Sequence, residues 1–141
     1  MKKLLTMLTG EIRQRRVVDH GEGYIDGSYV PAKKGGDCVG RCRAGNATKL
    51  MVLADSAGLP IAVTVADGSR HDVALVDKTL DEAVTSELPA RLIGDKAFDS
   101  ANLADRLRDE RNIELIANQL QRAASSTALN IAEGAGELLG R

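Results

Sequence analysis

Two aspartates are the residues of this sequence with the clearest capacity for chemistry. Asp26 sits within Tyr24-Ile25-Asp26-Gly27-Ser28-Tyr29-Val30, and Asp95 ends Arg91-Leu92-Ile93-Gly94-Asp95, so each acid is carried on a short run of β-forming residues. Carboxylates suit hard divalent cations such as magnesium and manganese. Hydrolysis or transfer at a phosphodiester uses two such ions roughly 3.5–4 Å apart, one activating the attacking oxygen and the other stabilising the leaving one. If the two strands lie side by side, acids 69 positions apart can meet at one cation. Taken singly, neither acid is informative, because an Asp at a strand end or before Gly is commonly a turn or cap residue.

A second set of side chains is basic. Lys33, Lys34, Arg41, Arg43 and Lys49 fall in or beside a glycine-rich stretch with no clear period, which reads as a mobile loop over 33–48 able to contact phosphates. The imbalance is wider than the loop: residues 1–50 hold ten Lys/Arg against five Asp/Glu, and residues 51–141 hold nine against fifteen. An anionic partner for the front half and cation-binding acids further on would both fit that split.

Other patterns lead nowhere. Cys38 and Cys42 lack the second ligand pair of a zinc site, and neither His20 nor His71 is suitably spaced, so free thiols are expected. The glycines at 35, 36, 40 and 45 never reach the Gly-Lys-Ser/Thr ending of a phosphate loop, and no nucleotide cofactor is assigned. His71-Asp72 stands where a helix begins, a place where Asp satisfies orphan amides. With aromatic residues at 2% and no Trp, base stacking is a poor mode of recognition.

The elements that must position these residues follow from periodicity. Leu4, Leu5, Leu8 and Ile12 predict a helix over about 2–15. Strands are expected over 24–30, 49–54 and 59–65, the last two joined by the turn Asp55-Ser56-Ala57-Gly58. Val73, Val76, Leu80 and Val84 mark a helix that Pro89 ends; a buried strand over 91–95, a helix over 100–111 capped by Ser100, and a strand over 113–117 complete the order. Three strands in meander, then helix, strand, helix, strand, fit a ribonuclease-H-like mixed α/β sheet; a doubly wound fold would alternate from the start. At 141 residues, 43% hydrophobic and 28% charged, the chain is long enough for one such domain.

In this order and spacing, Tyr24-Ile25-Asp26-Gly27-Ser28-Tyr29-Val30, Lys33-Lys34-Gly35-Gly36 with Val39-Gly40, Thr48-Lys49-Leu50, Asp55-Ser56-Ala57-Gly58-Leu59-Pro60, Gly68-Ser69-Arg70-His71-Asp72 and Leu92-Ile93-Gly94-Asp95-Lys96-Ala97-Phe98-Asp99-Ser100 closely resemble the catalytic domain of the DDE-class transposases of bacterial insertion sequences. The resemblance covers about residues 20–117. It implies a ribonuclease-H-like fold, Asp26 and Asp95 as the first two members of a metal-binding triad, a pair of magnesium or manganese ions, and DNA strand cleavage and transfer at transposon ends. With it, the basic residues become candidate contacts to DNA.

The third acid of that family is a Glu on a helix after the last core strand, and residues 118–137 lack the expected pattern. The stretch from Arg122 to Glu137, with Leu129-Asn130-Ile131-Ala132-Glu133-Gly134, weakly resembles a four-helix-bundle family known from intervening sequences in bacterial ribosomal RNA. The division expected is therefore 1–20 as a helical segment, 21–117 as an incomplete transposase domain and 118–141 as a helical tail of different origin. Glu133 as a stand-in acid competes with a solvent-facing Glu, which ordinary Glu usage favours. Two functions stay open: a transposase lacking its third carboxylate, or a noncatalytic remnant that binds transposon ends, forms oligomers or pairs with full-length transposase. A bundle of tail residues acting alone has too few residues for a core. No apolar stretch approaches the roughly 20 residues that cross a bilayer, and a cytoplasmic location is expected.

Overall fold

The computed structural model describes residues 20–117 together with Lys3 and Met7, both helical. The rest of the predicted 2–15 helix, the tail, its bundle resemblance and Glu133 lie outside the described residues.

Strand β1 (Glu22–Pro31) runs antiparallel to β3 (Gly45–Asp55), with Asp26 opposite Val52 and Tyr29 opposite Lys49. β3 is buried without a break from Lys49 to Asp55, which is why Leu50-Met51-Val52-Leu53-Ala54 is apolar on both faces. Its other edge is shared end to end. The short β2 (Gly40–Cys42) pairs with Gly45–Ala47, and β4 (Pro60–Asp67) pairs with the remainder. Asp55 closes the β3–β4 turn by accepting hydrogen bonds from the Ala57 and Leu59 amides at 3.0 and 2.8 Å, and Gly58 takes a φ of 79°.

On the far side of β1 the chain returns in parallel. β5 (Arg91–Gly94) pairs with β1, and β6 (Glu114–Ala117) pairs with β5. The sheet order β2-β3-β1-β5-β6, with β4 beside β3, is the mixed ribonuclease-H-like arrangement expected from the order of elements. Helices α1 (Asp72–Asp81) and α2 (Ala101–Arg111) bury Leu75, Val76 and Leu80, and Leu103 and Leu107, in one core with Ile25, Met51 and Leu53. Each such side chain contributes on the order of 1.5–3 kcal/mol. Ion pairs from Arg106 and Arg111 to Asp77, at 2.7 and 3.3 Å, tie the helices together.

The predicted cap is present: Ser100 Oγ accepts from the Leu103 amide at 3.3 Å, and Asn112 ends α2 in the left-handed region. Replacing Ser100 with Ala should cost about 1 kcal/mol, read as a lowered urea midpoint with unchanged slope.

One expectation fails. Residues 33–39 form turns, but 40–48 are not loop: β2 and the first residues of β3 form a hairpin arm there, fixed by the Ala32 amide on the Asn46 carbonyl (2.9 Å) and Thr48 Oγ1 on the Cys38 carbonyl (2.7 Å).

Candidate functional site

The parallel register of β1 and β5 builds the site. Glu22 lies opposite Arg91, Gly23 opposite Leu92 and Tyr24 opposite Ile93; two residues further, where β5 has just ended, the same register sets Asp26 across from Asp95. The chain must turn sharply there. Gly94 allows it, because a Cβ at that position would lie 2.7 Å from Cδ2 of the fully buried Phe98. Asp95 then caps a 3-10 turn, Lys96–Phe98, its Oδ1 accepting from the Ala97 amide at 2.8 Å. Phe98 thus anchors the segment that presents Asp95 to solvent.

Asp26 is half-buried, and its Oδ1 accepts from the Gly27 amide at 2.9 Å. Burial pushes its carboxyl up to about 6; the Gly27 hydrogen bond opposes this, and the neighbouring charges of Asp95 and Asp72 add to it. Neither Asp26 nor Asp95 has an ion-pair partner among the described residues. Two like charges brought together without a counter-ion form a hard-oxygen pair that a divalent cation would relieve.

Among the described residues no third carboxylate completes the pair, and there is no cluster of three or more His, Cys, Asp or Glu arranged to hold a metal. Asp72 adds to the field at Asp26, yet it lies against Gly27, whose Cβ would come within 2.9 Å of Asp72 Oδ1. Successive residues of a strand face opposite sides, so Asp26 and Asp72 approach β1 from different faces.

Asp72 is held by Lys49. The expected role for this acid, satisfying amides at the start of α1, is not the one observed: its carboxylate binds the Lys49 ammonium, which also donates to the Arg70 carbonyl at 2.8 Å and sits 4.7 Å from the centre of the Tyr29 ring. Lys49 is 2% exposed, which removes it from the candidate phosphate contacts. The lysine opening β3 reads as solvated in sequence; only its pairing across to α1 reveals a buried charge.

Arg41 and Arg43 are exposed on the hairpin arm, and Lys33 and Lys34 on the turn that leads into it. Arg41 and Arg43 line a cleft of about 790 Å³ together with Arg70, His71 and the Lys49–Asp72 pair. Sequence reasoning missed Arg70, although Gly68-Ser69-Arg70-His71-Asp72 marked the segment. Cys38 and Cys42 are free, as expected. None of the described helices is long and apolar enough to cross a membrane.

Comparison with known proteins agrees with this fold. The model of the transposase DDE domain family matches residues 19–130. Among solved structures, the piggyBac transposase synaptic complex with hairpin DNA is 14% identical with a TM-score of 0.55, over 74% of this chain and 24% of that one. The Mos1 strand transfer complex is 18% identical with a TM-score of 0.54, over 97% of this chain and 47% of that one. An intasome of simian T-cell lymphotropic virus, in complex with a PP2A regulatory subunit, is 11% identical with a TM-score of 0.53, over 79% and 39%. The chain therefore spans less than half the length of each of these proteins, and no curated protein sequence matches it. At such identities the structural likeness speaks to fold, whereas the family match extends over most of the chain and includes both aspartates: the chain belongs to the transposase DDE domain family.

Proposed function

We propose that the chain is the catalytic core of a DNA transposase acting in the cytoplasm on the ends of a mobile element, with residues 21–117 as its working unit and 1–20 and 118–141 as separate segments. Asp26 and Asp95 are the carboxylates that hold magnesium or manganese. The observation that supports this most directly is the β1–β5 register, which pairs two acids that have no counter-ion among the described residues.

The fit to a cation is chemical as well as positional. Each aspartate spends one oxygen on a backbone amide, Gly27 for Asp26 and Ala97 for Asp95, which fixes the carboxyl and leaves its second oxygen for a hard ligand. A bound pair of such ions would supply activation of the attacking oxygen and stabilisation of the leaving one during strand cleavage and transfer. The chain's own part is to hold those carboxylates on rigid elements and to grip the DNA backbone with Lys33, Lys34, Arg41 and Arg43.

With two acids in place of three among the described residues, the site loses charge and geometry for an ion, and the pre-positioning of that ion is where catalysis arises. The described residues favour a second reading on that account: a noncatalytic binder of transposon ends that modulates transposition, through its own oligomers or through full-length transposase. Purified protein, end DNA and manganese separate the two. Specific nicking supports the enzyme, while binding without nicking supports the remnant.

DNA binding itself has a sharp signature. Affinity should fall steeply between low and moderate salt, and charge reversal at Lys33, Lys34, Arg41 and Arg43 together should flatten that dependence, each lost contact lowering the log–log slope by about one. Fluorescence anisotropy across a salt series measures both; a slope unchanged by the reversal counts against this arm as the DNA contact.

A further inference from the structure

The segments that carry the exposed side chains of the cleft are held against each other by backbone packing. At Gly40 on β2 a Cβ would fall 2.5 Å from Asp67 Oδ1, 2.8 Å from the Ser69 amide nitrogen and 2.9 Å from that of Gly68. At Gly68 a Cβ would meet the Ala47 carbonyl oxygen at 2.6 Å and that of Gly40 at 2.9 Å, and the Gly68 amide donates to the Ala47 carbonyl at 3.0 Å. No side chain fits between these backbones, so the hairpin arm is seated directly on the turn between β4 and α1. Arg41 and Arg43 leave one side of that contact, and Arg70 and His71 leave the other.

Charge inside the cleft is set by few groups. Lys49 and Asp72 neutralise each other. Asp67 accepts from the Ser69 amide and hydroxyl and faces Arg70 Nε at 3.4 Å, an exposed pair that water screens, so the Arg70 guanidinium stays available to a phosphate. The surplus is positive, and Ala97, two residues beyond Asp95, also lines the cleft.

We propose that this cleft is a groove for a DNA backbone, with Arg70 and His71 as phosphate contacts on the wall facing Arg41 and Arg43, and with the Gly40–Gly68 contact as the positioning element that sets the width between the walls. The proposal rests on the transposase reading and deepens it by giving the DNA a path that reaches the segment after Asp95.

The test is anisotropy of a fluorescein-labelled DNA duplex of mixed sequence, titrated with the full-length chain at several salt concentrations. Arg70→Ala should weaken binding about tenfold at low salt and lower the salt slope by about one, while Arg70→Lys keeps most of the affinity. Arg108→Ala, which removes the same charge from the exposed face of α2, should change neither. Gly40→Ala should weaken binding with every cation still present; circular dichroism establishes that it is folded, and Gly68→Ala serves in its place if it is not. Equal effects of Arg70→Ala and Arg108→Ala, with Arg41→Glu and Arg43→Glu still harmful, would overturn the groove and leave the transposase reading standing. Absence of binding by the unmodified chain at low salt would overturn both.

Discussion

Asp26→Asn should strip the protein of its response to divalent cations while making the cation-free form more stable at neutral pH. The first half follows from ligand loss: removing a group behind a metal ligand costs ten- to a hundredfold in affinity, and removing the ligand itself costs at least about as much. The second half follows from the raised carboxyl of Asp26, about 6 in the folded chain against an ordinary 3.8. An acid that binds its proton more tightly when folded weakens the fold as that proton leaves. Stability therefore declines as pH climbs from about 4 to about 6 and stays lowered above it. The gap between those two values sets a ceiling near 3 kcal/mol, and partial access of water to Asp26 reduces the expected gain for Asn to about 1–2 kcal/mol.

Melting curves with and without manganese, at pH values below 4 and at pH 7, read both effects at once. Without the ion, the variant should melt above the parent at pH 7 and level with it at the low pH. With the ion, the parent should rise by mass action and the variant should not. Asp95→Asn should lose the same ion response. An equal manganese-induced rise in parent and both variants would place the cation elsewhere.

The second large effect belongs to the buried charge. Lys49→Met leaves Asp72 without its cation and should destabilise the fold by about 2–3 kcal/mol, less than the loss of one member of a fully buried pair because water reaches part of Asp72. Burial pulls the Lys49 ammonium toward release of its proton, but hydrogen bonding to Asp72 and Tyr29 and the charge of Asp72 outweigh this, so its pKa is raised. For a cationic group that direction means the pair's contribution persists below the ordinary value of 10.5 and is lost only at higher pH, leaving the Lys49 side of the penalty unchanged through neutral pH. Asp72→Asn in the same chain removes the stranded charge and should recover a large part of the loss, a coupling that a double-mutant cycle in urea quantifies. Additive effects of the two substitutions would show that the pair is not an energetic unit.

Much of the fold was legible because its signals are local. Alternation in β1, the apolar run of β3, the Asp55–Gly58 turn and the Ser100 cap each act within a few residues. The facing of Asp26 and Asp95 was legible only conditionally, since it depends on strands that pair in parallel across a long crossover. β2 was not legible: Gly40-Arg41-Cys42 has neither alternation nor β propensity and owes its conformation to Gly45–Ala47 and to the turn beneath it. Lys49 failed for a related reason, because its partner belongs to another element and nothing in Thr48-Lys49-Leu50 marks the residue as buried.

The parallel junction of β1 with β5 also governs when this molecule brings its two aspartates together. Asp26 leaves the ribosome 69 positions ahead of Asp95, and β3, β4 and α1 are all synthesised in between. Contacts of such long sequence separation form late, after the closure entropy of everything between them has been met. A nascent or half-melted polypeptide accordingly holds one isolated aspartate and no facing pair, so the metal-dependent chemistry proposed above could begin only once translation has passed Asp95 and the final crossover has docked.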